Sequence, residues 1–163
     1  MKNSVRPELV EGLRQAQDDR REARPQGEAG FSWPIRVYWE DTDAGGIVFY
    51  ANYLKFFERA RTEWLRSLGI EQNSLRKTAG GIFVVSETSV RYHRPARLDD
   101  ELLVTARVQE SARASLIIAQ QAFLRRDQTL LCEGTIRIGW VDADGLKPAR
   151  IPPILLEALK HEP

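Results

Sequence analysis

Arg36-Val37-Tyr38-Trp39-Glu40-Asp41-Thr42-Asp43-Ala44-Gly45-Gly46-Ile47-Val48-Phe49-Tyr50-Ala51-Asn52-Tyr53-Leu54 is the stretch whose reading decides the fold. It begins as a strand, passes through three carboxylates (Glu40, Asp41 and Asp43), turns at a double glycine and starts a helix. Gly45 and Gly46 allow a tight turn and let a ligand come close to the backbone. Near Tyr50 the first N–H groups of the helix have no intrahelical acceptor, and the positive end of the macrodipole lies behind them. A carboxylate is thereby set beside free backbone donors. That arrangement suits an acyl carbonyl whose oxygen gains negative charge under attack. Asp43 also has a plainer reading, as the cap of a turn or of the helix.

Upstream, Ile35 to Glu40 reads as the first strand, with β-branched and aromatic residues. Downstream, Ala51 to Leu68 reads as one long helix. Its apolar residues Tyr53, Leu54, Phe57, Ala60, Trp64, Leu65 and Leu68 recur mostly at spacings of three and four, and Gly69 stops it. Residues 71 to 81 read as a polar connection ending in Gly80-Gly81. Helical periodicity then disappears. Ile82 to Tyr92, Glu101 to Glu110, Ser115 to Arg125 and Thr129 to Val141 read as strands separated by short turn signals, which implies an antiparallel meander. Asp144-Gly145 marks a last turn, and Pro152-Pro153 leads into a short helix from Ile154 to Lys160. One amphipathic helix against one antiparallel sheet is an α+β layer architecture.

The 163 residues suggest one domain with a core of its own. A net charge of +1 gives no global reason to expect nucleic acid or a membrane surface as partner. No apolar run is long enough to span a bilayer, and the N-terminal residues lack the apolar core of a secretory signal. The single cysteine, Cys132, excludes an internal disulfide and fits a reducing compartment. The expectation is a cytoplasmic protein. Residues 1 to 30 stand apart. Six basic side chains are balanced there by six acids among few large apolar residues. Such a segment buries too little to offset its ordering entropy, so it reads as a disordered extension preceding a folded domain over 31–163.

Tyr38 to Val48, with Asn52-Tyr53-Leu54 and Glu58-Arg59-Ala60-Arg61, resembles the 4-hydroxybenzoyl-CoA thioesterase family. Within it, the likeness is to the bacterial acyl-CoA thioesterases associated with the Tol-Pal system. Arg94-Pro95-Ala96-Arg97-Leu98-Asp99-Asp100 is similar to the segment that joins two long strands in that branch. The likeness covers residues 33 to 155 and omits the extension. It implies a hotdog fold, a long central helix wrapped by a curved antiparallel sheet. It implies homodimers joined sheet edge to sheet edge, often paired into homotetramers, with active sites at the dimer interface. It implies hydrolysis of acyl-CoA, or acyl-carrier-protein, thioesters to acid and thiol with no metal and no cofactor. Asp43 would be the catalytic carboxylate, as nucleophile or as general base. The backbone N–H of Tyr50 would hold the carbonyl oxygen, and Gly45, Gly46, Ile47 and Val48 would admit the substrate. Many relatives of that branch carry histidine at the position of Tyr50, so only the backbone role carries over.

Other residues offer competing assignments. Glu58 and Glu63 lie on the long helix, where another hotdog branch places its catalytic glutamate. Their plainer role is in helix ion pairs, Arg59 with Glu63 and Glu58 with Arg61. Glu40 and Asp41 read as solvated or structural. Thr42 either steadies Asp43 or serves its own turn. Coenzyme A phosphates need basic partners, for which Arg91, Arg94, Arg97 and Arg113 are candidates. His93 reads as a surface or structural residue, and Cys132 as packing. With only His93 and His161, neither near the motif, a hydratase is disfavoured. A non-catalytic acyl-CoA-binding or envelope-associated protein remains the alternative. Pocket depth would depend on residues such as Phe57, Trp64 and Val85.

Overall fold

A computed structural model describes residues 30–160. The extension read over residues 1 to 30 falls, but for Gly30, outside the described residues, as does His161. Strands β1 (Phe31–Arg36), β2 (Gly81–Tyr92), β3 (Glu101–Ser111), β4 (Ser115–Leu124) and β5 (Leu130–Asp142) form one antiparallel sheet in the order β1-β3-β4-β5-β2. Helix α1 (Asn52–Ser67) lies on it, followed by α2 (Gln72–Thr78), and α3 (Pro153–Lys160) closes the chain. This is the α+β hotdog arrangement, a long helix laid across one antiparallel sheet.

Alternation builds the sheet's inner face. Leu116, Ile118, Gln120, Ala122 and Leu124 of β4 are buried, while the residues between them are only partly so. The helix answers with Tyr53, Phe56, Phe57, Ala60, Trp64 and Leu65. Phe56, Phe57 and Trp64 are wholly buried. Truncating one such aromatic to alanine costs about 3–5 kcal/mol. Phe56 belongs to this face, whereas Leu54 is exposed.

Three features differ from the sequence reading. The first strand begins at Phe31 and ends at Arg36, before the carboxylates. It includes Pro34, tolerated because β1 pairs only with β3 and is an edge strand. Residues 72–78 form a helix, α2, where a polar connection was expected. With Leu75 as its one buried anchor, that seven-residue helix has no periodicity to read. Finally, only β3, β4 and β5 make a meander. β2 pairs with β5 at the far edge, so residues 93–100 must cross the sheet's end to reach β3. That crossing brings Ala96 and Arg97 to the strand-turn-helix motif.

Candidate active site

The motif is built around a buried aspartate. Trp39–Asp41 form one 3₁₀ turn instead of continuing the strand. Asp41 is 1% exposed. Its Oδ2 accepts the Tyr38 N–H (2.9 Å), and its carbonyl accepts both the Phe49 N–H (2.9 Å) and the Asn52 side-chain amide (2.9 Å). Asn52, in the first turn of α1, is itself buried. Strand end and helix start are thus bound to one peptide carbonyl. Asp41 is the structural residue of the three carboxylates, and Glu40 is exposed.

Asp43 occupies the next turn. Its N–H donates to the Ile47 carbonyl (2.9 Å), its carbonyl accepts the Gly46 N–H (3.0 Å), and Thr42 bridges Val48, so residues 42–48 make a miniature hairpin. Its Oδ1 accepts the Gly45 N–H (2.8 Å). The turn-capping reading of Asp43 therefore holds for one carboxylate oxygen. Oδ2 has no partner among the described residues, and the side chain is exposed. A Cβ on Gly45 would stand 3.0 Å from Asp43 Oδ1, crowding the carboxylate. Gly46 has φ +73°, the left-handed conformation that glycine adopts without strain. Thr42 serves its own turn, its hydroxyl donating to the Trp39 carbonyl (3.0 Å).

The returning arm leads through Val48 and Phe49 to Tyr50. The Phe49 carbonyl accepts the Asn52 N–H (2.8 Å), which orients the peptide between Phe49 and Tyr50. In a planar trans peptide the N–H points opposite the carbonyl, so the Tyr50 N–H faces away from the helix. Among the described residues no acceptor takes it. The helix proper begins at Asn52, with Ala51 as its N-cap. The donor at Tyr50 therefore lies in the turn just before the helix.

The crossing segment secures the other side. The Val48 N–H donates to the Ala96 carbonyl (2.9 Å), Ile47 bridges Arg97, and the Ala96 N–H donates to the Tyr53 hydroxyl oxygen (3.1 Å). Burial raises the pKa of that tyrosine above its ordinary value. Sequence reasoning missed Asn52, Tyr53, Tyr92 and Ala96 as parts of the site. The only local signal was a polar Asn in the first helical turn.

The remaining candidates separate clearly. Arg91, Arg94 and Arg97 are exposed, at the end of the sheet that carries the motif. Arg113 lies in the β3–β4 turn at the opposite end and does not join them. Glu58 Oε1 accepts the Thr62 hydroxyl (2.7 Å). It lines a cavity of about 130 Å³ with Arg61, Trp64, Gln72, Phe83 and Val85. Trp64 and Val85 border this cavity, whereas Phe57 is buried in the core and not among its lining. Arg61 reaches Gln120 (2.8 Å); burial lowers its pKa, and the charge of Glu58 acts against that. Glu63 pairs with Arg66 rather than Arg59. His93 meets Glu133 (2.9 Å) on the surface. Burial pushes the Cys132 thiol up to about 12, so at neutral pH it is a packing residue and not a thiolate. Among the described residues no three His, Cys, Asp or Glu side chains gather as a metal ion would require, and no helix is long and apolar enough to cross a membrane.

A buried post, an exposed carboxylate and an open backbone donor on a hotdog scaffold define a class in which acyl groups are handled. Residues 37–159 match the family described as the thioesterase-like superfamily, and the chain belongs to it. It is 42% identical over 132 residues to the acyl-CoA thioesterase YbgC of Haemophilus influenzae, a match covering 81% of this chain and 96% of that one. It is 40% identical over 131 residues to the acyl-CoA thioester hydrolase YbgC of Escherichia coli O157:H7, covering 80% and 96%. Among solved structures, a probable thioesterase from Bartonella henselae superposes with a TM-score of 0.71 at 33% identity, covering 76% of this chain and all of that one (100%). Slr0204 of Synechocystis, a 1,4-dihydroxy-2-naphthoyl-CoA thioesterase, reaches a TM-score of 0.75 at 20% identity over 80% of this chain and 96% of its own, a likeness of fold alone.

Proposed function

We propose that this protein is an acyl-CoA thioesterase that hydrolyses the thioester to free acid and thiol. The observation that carries the reading is the exposed Asp43 carboxylate in a hairpin whose returning arm leads to a Tyr50 N–H that no residue of the described chain takes up. The thioester oxygen accepts that N–H and gains negative charge as the carbonyl carbon is attacked. One such donor is worth about 2.7–4 kcal/mol in the transition state. Asp43 works by one of two balanced routes. As nucleophile, its Oδ2 bonds to the carbonyl carbon, the C–S bond breaks, the thiolate leaves, and water then opens the acyl-aspartyl anhydride. As base, it takes a proton from water, whose oxygen attacks while the thiolate leaves and is protonated. Single turnover in heavy-oxygen water tests the nucleophilic route, because label enters Asp43 only when water opens the anhydride at the aspartyl carbon.

Gly45, Gly46, Ile47 and Val48 form the wall along which the thioester enters. Arg91 and Arg97, at the same end of the sheet, face the phosphates of the carrier. The homodimer joins β2 edges. Residues 85–89 of that strand are exposed, and a long bare edge is otherwise a liability. Further pairing into a homotetramer, acyl carrier protein as a second carrier, and a cytoplasmic location complete the reading.

Thiol release from a panel of acyl-CoAs, from short aliphatic to benzoyl and long-chain, tests it. The expected outcome is turnover that Asp43→Asn abolishes. Binding of acyl-CoA without thiol release by the unaltered protein would make it a binding protein instead.

A further inference from the structure

We infer that Tyr92, on the outer strand β2, is a positioning residue for the oxyanion donor, an inference that rests on the active-site reading above. The Tyr92 hydroxyl donates to the Tyr50 carbonyl (3.0 Å). Its ring meets that of Tyr50 edge-on, with centroids 6.1 Å apart and planes at 87°, and that of Tyr53 at 5.7 Å and 62°. The contact joins residues 42 positions apart in sequence.

Two successive peptide planes decide where the donor points. The plane between Phe49 and Tyr50, which carries the Tyr50 N–H, is held through the Phe49 carbonyl by the Asn52 N–H (2.8 Å). The plane between Tyr50 and Ala51 has its carbonyl held by Tyr92 alone among the described residues. Rotation of this second plane turns ψ of Tyr50 and moves the whole turn before the helix. The Tyr50 side chain is 62% exposed, and its ring contacts are with Phe49 and with Tyr92 itself. An outside hydrogen bond is therefore what fixes the turn on its carbonyl side, since the regular helical ladder has not yet begun there.

The chemistry of Tyr92 suits this task. A phenol donates one hydrogen bond in a defined direction from a rigid ring. Burial, with Cys132 and Tyr50 nearby, raises its pKa above the ordinary tyrosine value, so the hydroxyl stays protonated and donating throughout the neutral range. Tyr92 pairs with Cys132 of β5, which anchors the ring's backbone in the ladder while its other edge stays open. The strand that offers the sheet's free edge thus also holds the catalytic turn.

Tyr92→Phe keeps the ring and deletes the donor. Expected are a fall in kcat of about tenfold, the rate equivalent of one neutral hydrogen bond, and a KM within about twofold. Thermal midpoint and sedimentation should match the parent. An unchanged kcat overturns the inference. So does a raised KM at full kcat, which would make Tyr92 a substrate contact, or a loss of turnover that follows a lowered midpoint or a changed oligomer, which would make it merely structural. Asp43→Asn is assayed alongside. If Asp43→Asn is inactive while Tyr92→Phe turns over normally, only the positioning role falls. Wild-type turnover by Asp43→Asn overturns the site itself and the inference with it.

Discussion

Asp43 and Glu58 are exposed carboxylates at two places along the same scaffold, one beside the start of α1 and one within it. Glu58 lines a cavity of about 130 Å³ with Arg61 and an apolar floor. Asp43 sits in an exposed turn. What separates them is the backbone. Around Glu58 the helix is regular, and its N–H groups are spent on carbonyls one turn earlier. Near Asp43 the chain has just left a hairpin and has not entered the ladder, so Tyr50 still has a donor to give. A carboxylate can attack or activate water in either place. Only at the helix entrance can the oxygen of the carbonyl also be held. On the function proposed above, the backbone donor rather than the cavity at Glu58 marks where the chemistry is expected.

Four experiments break or sharpen this contrast. Asp43→Asn should lower kcat about 10²–10⁴-fold, the usual worth of a positioned acid–base group, with the thermal midpoint nearly unchanged. Near wild-type turnover would transfer the role to Glu58. Asn52→Ala removes one of the two donors on the Asp41 carbonyl and should destabilise the fold by about 1–3 kcal/mol in denaturant titration. It should lower turnover as well, because strand end and helix start lose a shared tie; full activity would show that Phe49 alone suffices. Glu58→Gln should leave kcat within about twofold, since its removal costs one exposed hydrogen bond to Thr62. A loss of a hundredfold would reverse the comparison. Deleting residues 1–30 should change neither thiol release nor sedimentation, and a shift in either would assign that segment a structural role.

Local chemistry was legible in the sequence, and its long-range fastening was not. Asp43, Gly45, Gly46 and the helix entrance lie within a dozen positions, so the turn they make was readable from neighbouring residues, while the catalytic role expected of Asp43 came from the family resemblance. The long strands and α1 were readable for a similar reason, as their alternation or helical spacing persists for ten residues or more. The burial of Asp41 beside an exposed Asp43 was not readable from local pattern, and the resemblance alone set the two apart. Both are acids in one turn, and only the tertiary course of the chain decides which faces the interior. Tyr53, Tyr92 and Ala96 were hidden for another reason. They reach the motif because β2 stands at the far edge and the next segment crosses back, and nothing in strand periodicity reveals the order of strands in a sheet. Helix α2 escaped because a single buried leucine does not make a pattern.

The crossing segment has a consequence for how the molecule comes to life. The ties from Asp41 to Asn52 close a short loop, which a chain does early and at little entropic cost. The ties from Tyr50 to Tyr92 and from Tyr53 to Ala96 span 42 and 43 positions and wait until β2 has docked on β5. During refolding, helix and strand signals should therefore return before turnover does. The expected order would make the proposed catalytic turn the last part of the protein to be finished, and a chain lacking β5 should release no thiol.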